Sequence, residues 1–410
     1  MGKEADKLKE IIRLDSDLQT AQDLDILLEK ILYESRRFVN ADAGTIYLRR
    51  DNTLIFSYTQ NDTLQKELPT GQKLIYSVFS FEISRSSIAG YVAETAEILN
   101  IPDAYKIGKR RPFGFNPEYD KLSGYTTTSM LTIPLVTNIA EVLGVIQLIN
   151  ANTPDGEVIP FRKQDELYIG HFAVSASMAL QRAQLTRQLL LRMIKMAELR
   201  DPKETGPHVN RVASYATEIY ERWARRRKMA NRELHRNRDS LRMAAMLHDV
   251  GKVAISDLIL KKPGPFTDEE YDIMKTHTYC GARLFQSKQS EFDDIASDVA
   301  LTHHENWDGS GYPGWVDSAT GQPSGKGSLG SNGKAKGRKA EEIPVFGRVV
   351  SIADVFDALS HRRVYKKAWS EEDVLEEMRK SAGTKFDPEL VDIFFEALPH
   401  IKNISVKYPD

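Results

Sequence analysis

The 410-residue sequence predicts two domains, one α+β and one all-α, joined by a long helix. Three observations carry this. At roughly 100–200 residues per domain the chain has room for two or three, each able to bury its own core. Strand texture ends near Asn150 and nearly vanishes after Pro202. No Gly or Pro interrupts His171 to Arg200, so one continuous helix is expected between the two textures.

The elements follow in chain order. From Lys7 to about Val39, Leu8, Ile11, Ile12, Leu18, Ile26, Leu27, Ile31 and Leu32 recur at mostly helical spacing and predict an amphipathic entry helix. GTIYLRR from Gly44, LIFSYTQ from Leu54, MLTIPLV from Met130 and EVLGVIQLIN from Glu141 read as strands. The helical pattern resumes beyond Phe161, with Leu185, Leu189, Met193 and Met196 forming a partly heptad-like stripe, and Asp201-Pro202 is its expected break. Helices then dominate, including Leu241 to His248 and one opened by a capping box from Thr267 to Glu270. Ser318 to Lys339, rich in Gly, Ser and Lys, lacks the apolar residues to order itself and is expected to be a mobile loop. Arg222 to Arg238 carries eight Arg or Lys and reads as a solvated connector or exposed helix face.

Composition narrows the function classes. With 56 Lys plus Arg against 58 Asp plus Glu, the formal charge of −2 excludes a globally basic nucleic-acid coat. One cysteine, Cys280, excludes a disulfide framework and a thiolate zinc site, and suits a reducing compartment. The start, MGKEADKLKE, lacks the apolar core of a signal peptide. No apolar run approaches the roughly 20 residues that span a bilayer. A cytoplasmic chain without a membrane or nucleic-acid polymer as partner is expected.

The chemistry is concentrated in the second half. His248-Asp249, His277, the pair His303-His304 and Asp354 are joined by Glu204 and His208, which stand four apart and share one face if that segment is helical. Imidazole and carboxylate without thiolate suit iron, manganese or zinc. Eight candidate ligands exceed the roughly three protein ligands of a mononuclear catalytic site, so two or three ions sharing carboxylates are expected. A multinuclear centre with ions about 3.5–4 Å apart suits phosphodiester hydrolysis. His171, His235, His361 and His400 lack such company and read as structural.

HDVGK, His248 to Lys252, and HHENWDGSGYP, His303 to Pro313, resemble the HD-GYP family of cyclic dinucleotide phosphodiesterases across about residues 186 to 402. The resemblance implies a helical HD-type fold and hydrolysis of cyclic di-GMP to the linear dinucleotide pGpG and on to GMP. It carries over His208, His248, Asp249, His277, His303, His304 and Asp354 as metal ligands, with Asp249 bridging two ions. Glu204 occupies the position that marks the trinuclear subgroup, so three ions, iron or manganese, are favoured. Lys252 is expected to donate to a phosphate or leaving oxygen, and Tyr312, Arg363 and Lys366 to hold substrate. Asp308 is the candidate for orienting a ligand imidazole. The loop after Tyr312 is a candidate lid, with Lys326, Lys334, Lys336 and Arg338 near phosphates. The alternatives are a 3',3'-cGAMP phosphodiesterase or a catalytically silent effector that binds cyclic di-GMP.

The first half resembles a GAF sensor domain over about residues 23 to 183, through SIAGYVAETAEILNIPDAY from Ser87, GYTTTSMLTIPL from Gly124 and EVLGVIQLIN from Glu141. That implies an antiparallel sheet flanked by helices. Of the Asn-Lys, Phe, Asp-Glu signature of cyclic-nucleotide-binding GAF domains, Asn150, Phe161, Asp165 and Glu166 match, while Ala151 replaces the lysine. A cyclic nucleotide is one candidate ligand there, against a ligand-free dimerisation module or a different small molecule. The expected division is an N-terminal helix over 1–22, the sensor over 23–183, a linker helix over 184–201 and the phosphodiesterase domain over 202–410. A homodimer through the sensor and linker helix is expected.

Overall fold

A computed structural model describes residues 12–14, 18, 21–68, 79–198, 206–288, 290–325, 328–330, 333–361 and 369–409. The chain divides into two compact units, Met1–Arg187 and Gln188–Asp410. Among the described residues no helix is long and apolar enough to cross a membrane.

The first unit is built on a seven-stranded sheet. Its strands are β1 (Ala41–Arg50), β2 (Thr53–Asn61), β3 (Ser80–Glu82), β4 (Leu99–Ile101), β5 (Met130–Val136), β6 (Val142–Asn152) and β7 (Val158–Ile159). Their order is β3-β2-β1-β6-β5-β4, with β7 on β6, and every pairing is antiparallel. Successive side chains point to opposite faces, so the sheet serves two cores. Ile46, Ile133, Ile146 and Leu148 meet α1 (Leu24–Phe38) and the first half of α3 (Lys163–Glu198). Leu54 and Val145 meet Ala89, Val92 and Ala93 of α2 (Ile88–Thr95) on the other face. Asp23 caps α1 by accepting the Asp25 and Ile26 N–H groups, and Arg36 and Arg37 complement its last turn.

The matched signature residues are structural here. Asn150 accepts from the Thr128 N–H at 2.7 Å and donates to the Thr126 carbonyl at 2.7 Å, tying β6 to the chain before β5. Phe161 is buried in the core. Asp165 accepts from the Arg162 N–H at 2.8 Å.

The second unit is helical. It comprises α4 (Gly206–Arg226), α5 (Asn231–Met246), α6 (Asp268–Lys275), α7 (His277–Arg283), α8 (Glu291–Thr302), α9 (Val345–Ser360), α10 (Glu371–Lys380) and α11 (Pro388–Lys407). Val212, Tyr215, Ala216 and Ile219 of α4 pack with Leu241 and Ala245 of α5, Val349 and Ile352 of α9, and Phe394 of α11. Ile194, near the end of α3, belongs to this core.

The basic stretch closes on acidic partners: Arg222 with Glu218, Arg225 and Arg238 with Glu221, Arg226 with Glu396, Arg227 with Glu389 and Arg236 with Glu291. Most of its cations lie on the surface, while Arg238 and its partner Glu221 are buried. The described residues of the Gly-Ser-Lys loop carry backbone hydrogen bonds. Trp315 N–H donates to the Lys336 carbonyl at 2.9 Å, Ser324 N–H to the Trp315 carbonyl at 2.9 Å and Lys336 N–H to the Ser328 carbonyl at 2.6 Å. The Arg338 guanidinium lies 4.4 Å from the Trp315 ring centre. Backbone pairing and one cation–π contact organise what apolar burial does not.

Candidate metal centre

Four helix ends and one helix face bring the chemistry together. His208 lies in the first turn of α4, and His248 and Asp249 follow the end of α5. His277 opens α7, His303 caps α8 with His304 next, and Asp354 projects from α9. Gly251 makes the junction after Asp249 close enough, since a Cβ there would stand 1.9 Å from the His277 carbonyl oxygen and 2.4 Å from the Gly281 nitrogen.

The rings are oriented from behind. Nδ1 of His248 meets the Ala245 carbonyl at 2.8 Å, that of His277 the Met274 carbonyl at 2.7 Å and that of His303 the Val299 carbonyl at 3.0 Å. A carbonyl only accepts, so each Nδ1 carries a proton and each ring turns its Nε2 forward. His208 Nδ1 is held instead by the Asp357 carboxylate at 2.8 Å.

Ahead of the rings the donors form two groups, Asp249 with His277, His303 and His304, and His208 with His248 and Asp354, the ligand atoms of each within 4.8 Å of one another. Asp249 faces both. Its Oδ1 is 3.1 Å from His277 Nε2 and 3.6 Å from His303 Nε2, while its Oδ2 is 3.4 Å from His248 Nε2 and 2.7 Å from Lys252 Nζ. Asp354 Oδ1 lies 3.7 Å from His208 Nε2 and 4.0 Å from His248 Nε2. Asp249 Oδ1, His277 Nε2 and His303 Nε2 are buried and make no aligned hydrogen bond. Lone pairs converging without a donor between them fit divalent cations.

Electrostatics keep these groups in ligand form. Burial pushes the Asp249 carboxyl up, but Lys252, His248 and His277 outweigh it and hold it well below the usual range. Burial lowers His303, and burial together with His303 and His277 lowers His304 further, so both stay neutral.

Tyr312 lies against His304, ring centres 4.8 Å apart at 31°. Its loop is tied by Glu305, a buried carboxylate that accepts from the Gly314 N–H at 2.5 Å and the Arg338 N–H at 3.1 Å. Burial raises Glu305 to about 7, those two N–H groups opposing it. Gly311 has no room for a side chain, a Cβ falling 2.1 Å from the Asn306 nitrogen. The Tyr312-Pro313 peptide bond is cis.

Asp308 corrects an expectation. It is exposed and accepts from the Ser310 N–H at 2.8 Å, because the chain turns back on itself there, so it orients no ligand imidazole. Asp357 does that for His208, and it also accepts from Arg211 at 2.7 Å and pairs with His361 at 3.2 Å. Its signal was one helical turn beyond Asp354, a second acid three positions along α9. Of the candidate lid cations, Lys334 pairs with Asp272 and Arg338 covers Trp315. Lys336 is exposed. Glu204, Lys326, Arg363 and Lys366 lie outside the described residues.

Residues 205–359 match the model of the HD domain and residues 23–180 that of the GAF domain. The chain thus carries a GAF domain followed by an HD domain. A "3'3'-cGAMP-specific phosphodiesterase 2" from Vibrio cholerae serotype O1 is 34% identical over 61% of this chain and 42% of its own length. A "Cyclic di-GMP phosphodiesterase" from Thermotoga maritima is 35% identical over 52% of this chain and 50% of its own. Another of that name from Vibrio cholerae serotype O1 is 32% identical over 62% of this chain and 49% of its own. The chain thus spans about half the length of these curated relatives.

Proposed function

We propose that the HD domain is a metal-dependent phosphodiesterase that opens cyclic di-GMP to pGpG and then GMP, under control of the GAF domain. The observation that carries it is Asp249 facing two groups of buried imidazole and carboxylate donors, with Lys252 on its second oxygen and Tyr312 alongside. His208, His248 and Asp354 would hold one ion, Asp249, His277, His303 and His304 another, and Glu204 is the candidate ligand for a third. Iron or manganese suits these donors. Such ions supply positive charge that polarises a phosphodiester and acidifies water.

The chain's own groups do the rest. Lys252 Nζ, 2.7 Å from Asp249 Oδ2, would donate to a phosphate or leaving oxygen. Tyr312, packed on His304, offers a ring face or hydroxyl to substrate, and Arg363 and Lys366 are candidate phosphate ligands. The buried Asp357 and Arg211 set His208 from behind. For the whole chain, a homodimer along α3 would join the two GAF domains and carry their signal.

The test is chromatography of products after metal-loaded protein meets cyclic di-GMP, with 3',3'-cGAMP in parallel because two relatives carry that specificity in their names. Release of pGpG and GMP, abolished in His248→Ala, is expected. Turnover of 3',3'-cGAMP alone would transfer the reading to that substrate. Binding without turnover at full metal content would leave an effector.

A further inference from the structure

The function proposed above leaves α6 unused, yet this helix stands beside Tyr312. Its Tyr271 ring meets Tyr312 edge-on, centres 6.2 Å apart at 76°, and remains 45% exposed. Lys275, one turn later on the same face, holds its ammonium 4.4 Å from the Tyr271 ring centre and 5.9 Å from that of Tyr312. Asp272 fixes that ammonium at 2.9 Å, and its other oxygen takes Lys334 from the Gly-Ser-Lys loop. A half-exposed aromatic face, a second ring at a steep angle and a positioned cation thus form an open corner bordering the metal donors.

We propose that Tyr271 and Lys275 form a guanine-binding corner that fixes the base preference of the site. This rests on the cyclic dinucleotide reading and adds to it the part of the substrate recognised. The exposed part of the Tyr271 ring, which has the Lys275 ammonium over one face, can stack on a base, because every base has a π-face. Lys275 supplies the choice. Guanine presents two acceptors, N7 and O6, on one edge, whereas adenine replaces O6 with an amino donor that an ammonium cannot use. Asp272 holds Lys275 over the rings before substrate arrives and so reduces the ordering cost of binding. The loop enters through Lys334, which shares Asp272 and thereby helps set where Lys275 points.

The experiment compares steady-state turnover of cyclic di-GMP and cyclic di-AMP by wild-type, Tyr271→Ala, Tyr271→Phe and Lys275→Met protein, with metal content and melting temperature measured on each. Losing one base stack is expected to raise KM for cyclic di-GMP roughly 5- to 100-fold in Tyr271→Ala, with kcat much less affected and Tyr271→Phe close to wild type. Lys275→Met should raise KM for cyclic di-GMP roughly tenfold and shrink its advantage over cyclic di-AMP by the same factor. Unchanged KM in Tyr271→Ala and Lys275→Met, with wild-type protein active, overturns the corner alone. Equal losses on both dinucleotides together with lost metal would show that α6 merely supports His277, and overturn it as well. Wild-type protein inactive on every cyclic dinucleotide removes the corner along with the reading beneath it.

Discussion

Asp357 shows what one buried side chain does for a ligand it never replaces. Its carboxylate faces His208, Arg211 and His361, and these partners hold it ionised despite burial that would push its carboxyl up. Asp357→Asn keeps the shape but removes the negative charge facing Arg211 and the constraint on the His208 tautomer. Breaking such a buried pair should cost about 3 kcal/mol of stability. Metal affinity should fall about 10- to 100-fold. Denaturant titration and metal analysis check the two separately, and an unchanged metal content would remove Asp357 from the site. Glu305 makes the same case for the Tyr312 loop, because each carboxylate oxygen accepts one backbone N–H. Glutamine has a single acceptor oxygen, so Glu305→Gln sets an amide NH2 against a backbone N–H. A loss of about 1–3 kcal/mol is expected. Substrate KM should rise while bound metal stays, as parallel calorimetry and kinetics would read.

Elements were legible where their signals are local. The capping box at Thr267 is present, its side chain accepting from the Glu270 N–H and Glu270 answering the Thr267 N–H. The four long strands follow from runs rich in β-branched and aromatic residues bounded by turn residues, but β3, β4 and β7 have two or three residues each, too few to display such a run. His303-His304 and His248-Asp249 announce themselves by adjacency, whereas Asp357 reaches His208 from 149 positions away and Tyr271 reads as one more residue on a surface helix. Composition gave no sign of the backbone hydrogen bonds in the Gly-Ser-Lys loop, which leave no apolar pattern. Gly251 is the point where two elements depend on one missing side chain. Gly251→Ala would drive a methyl group into the His277 carbonyl and part the turn after Asp249 from α7. Loss of bound metal with a drop of more than about 2 kcal/mol in stability is expected, since overpacking alone costs about 1–3 kcal/mol. Full metal loading in that variant would show that the junction tolerates separation.

At the scale of the whole chain, each unit carries its own core, so metal removal should separate them. Ions at about a hundred times their Kd stabilise the native state by about 2.7 kcal/mol. Chelation should therefore lower the melting of the HD domain by about 5–10 °C, with the GAF transition unmoved in calorimetry. The helix α3 belongs to both units and has a second property, seen only along its full length. Leu167, Val174, Met178, Leu185, Leu189, Met193 and Met196 are all 48 to 69% exposed. Their spacings of three, four and seven residues keep them within an arc of about 100° on one side of a helix about 54 Å long. Single exposed apolar residues are ordinary, but a continuous stripe with coiled-coil spacing is costly to leave in water and is what a parallel helical partner covers. In the proposed dimer a second copy would supply that partner with the same stripe in register, as two-fold symmetry requires. Light scattering at micromolar concentration should give the mass of two chains. Leu185→Glu combined with Leu189→Glu should give one, because like charges would face each other across the seam, while each domain melts as before since surface changes usually stay within about 0.5 kcal/mol. A wild-type mass of one chain would leave the stripe without its partner and the proposed dimer without its basis.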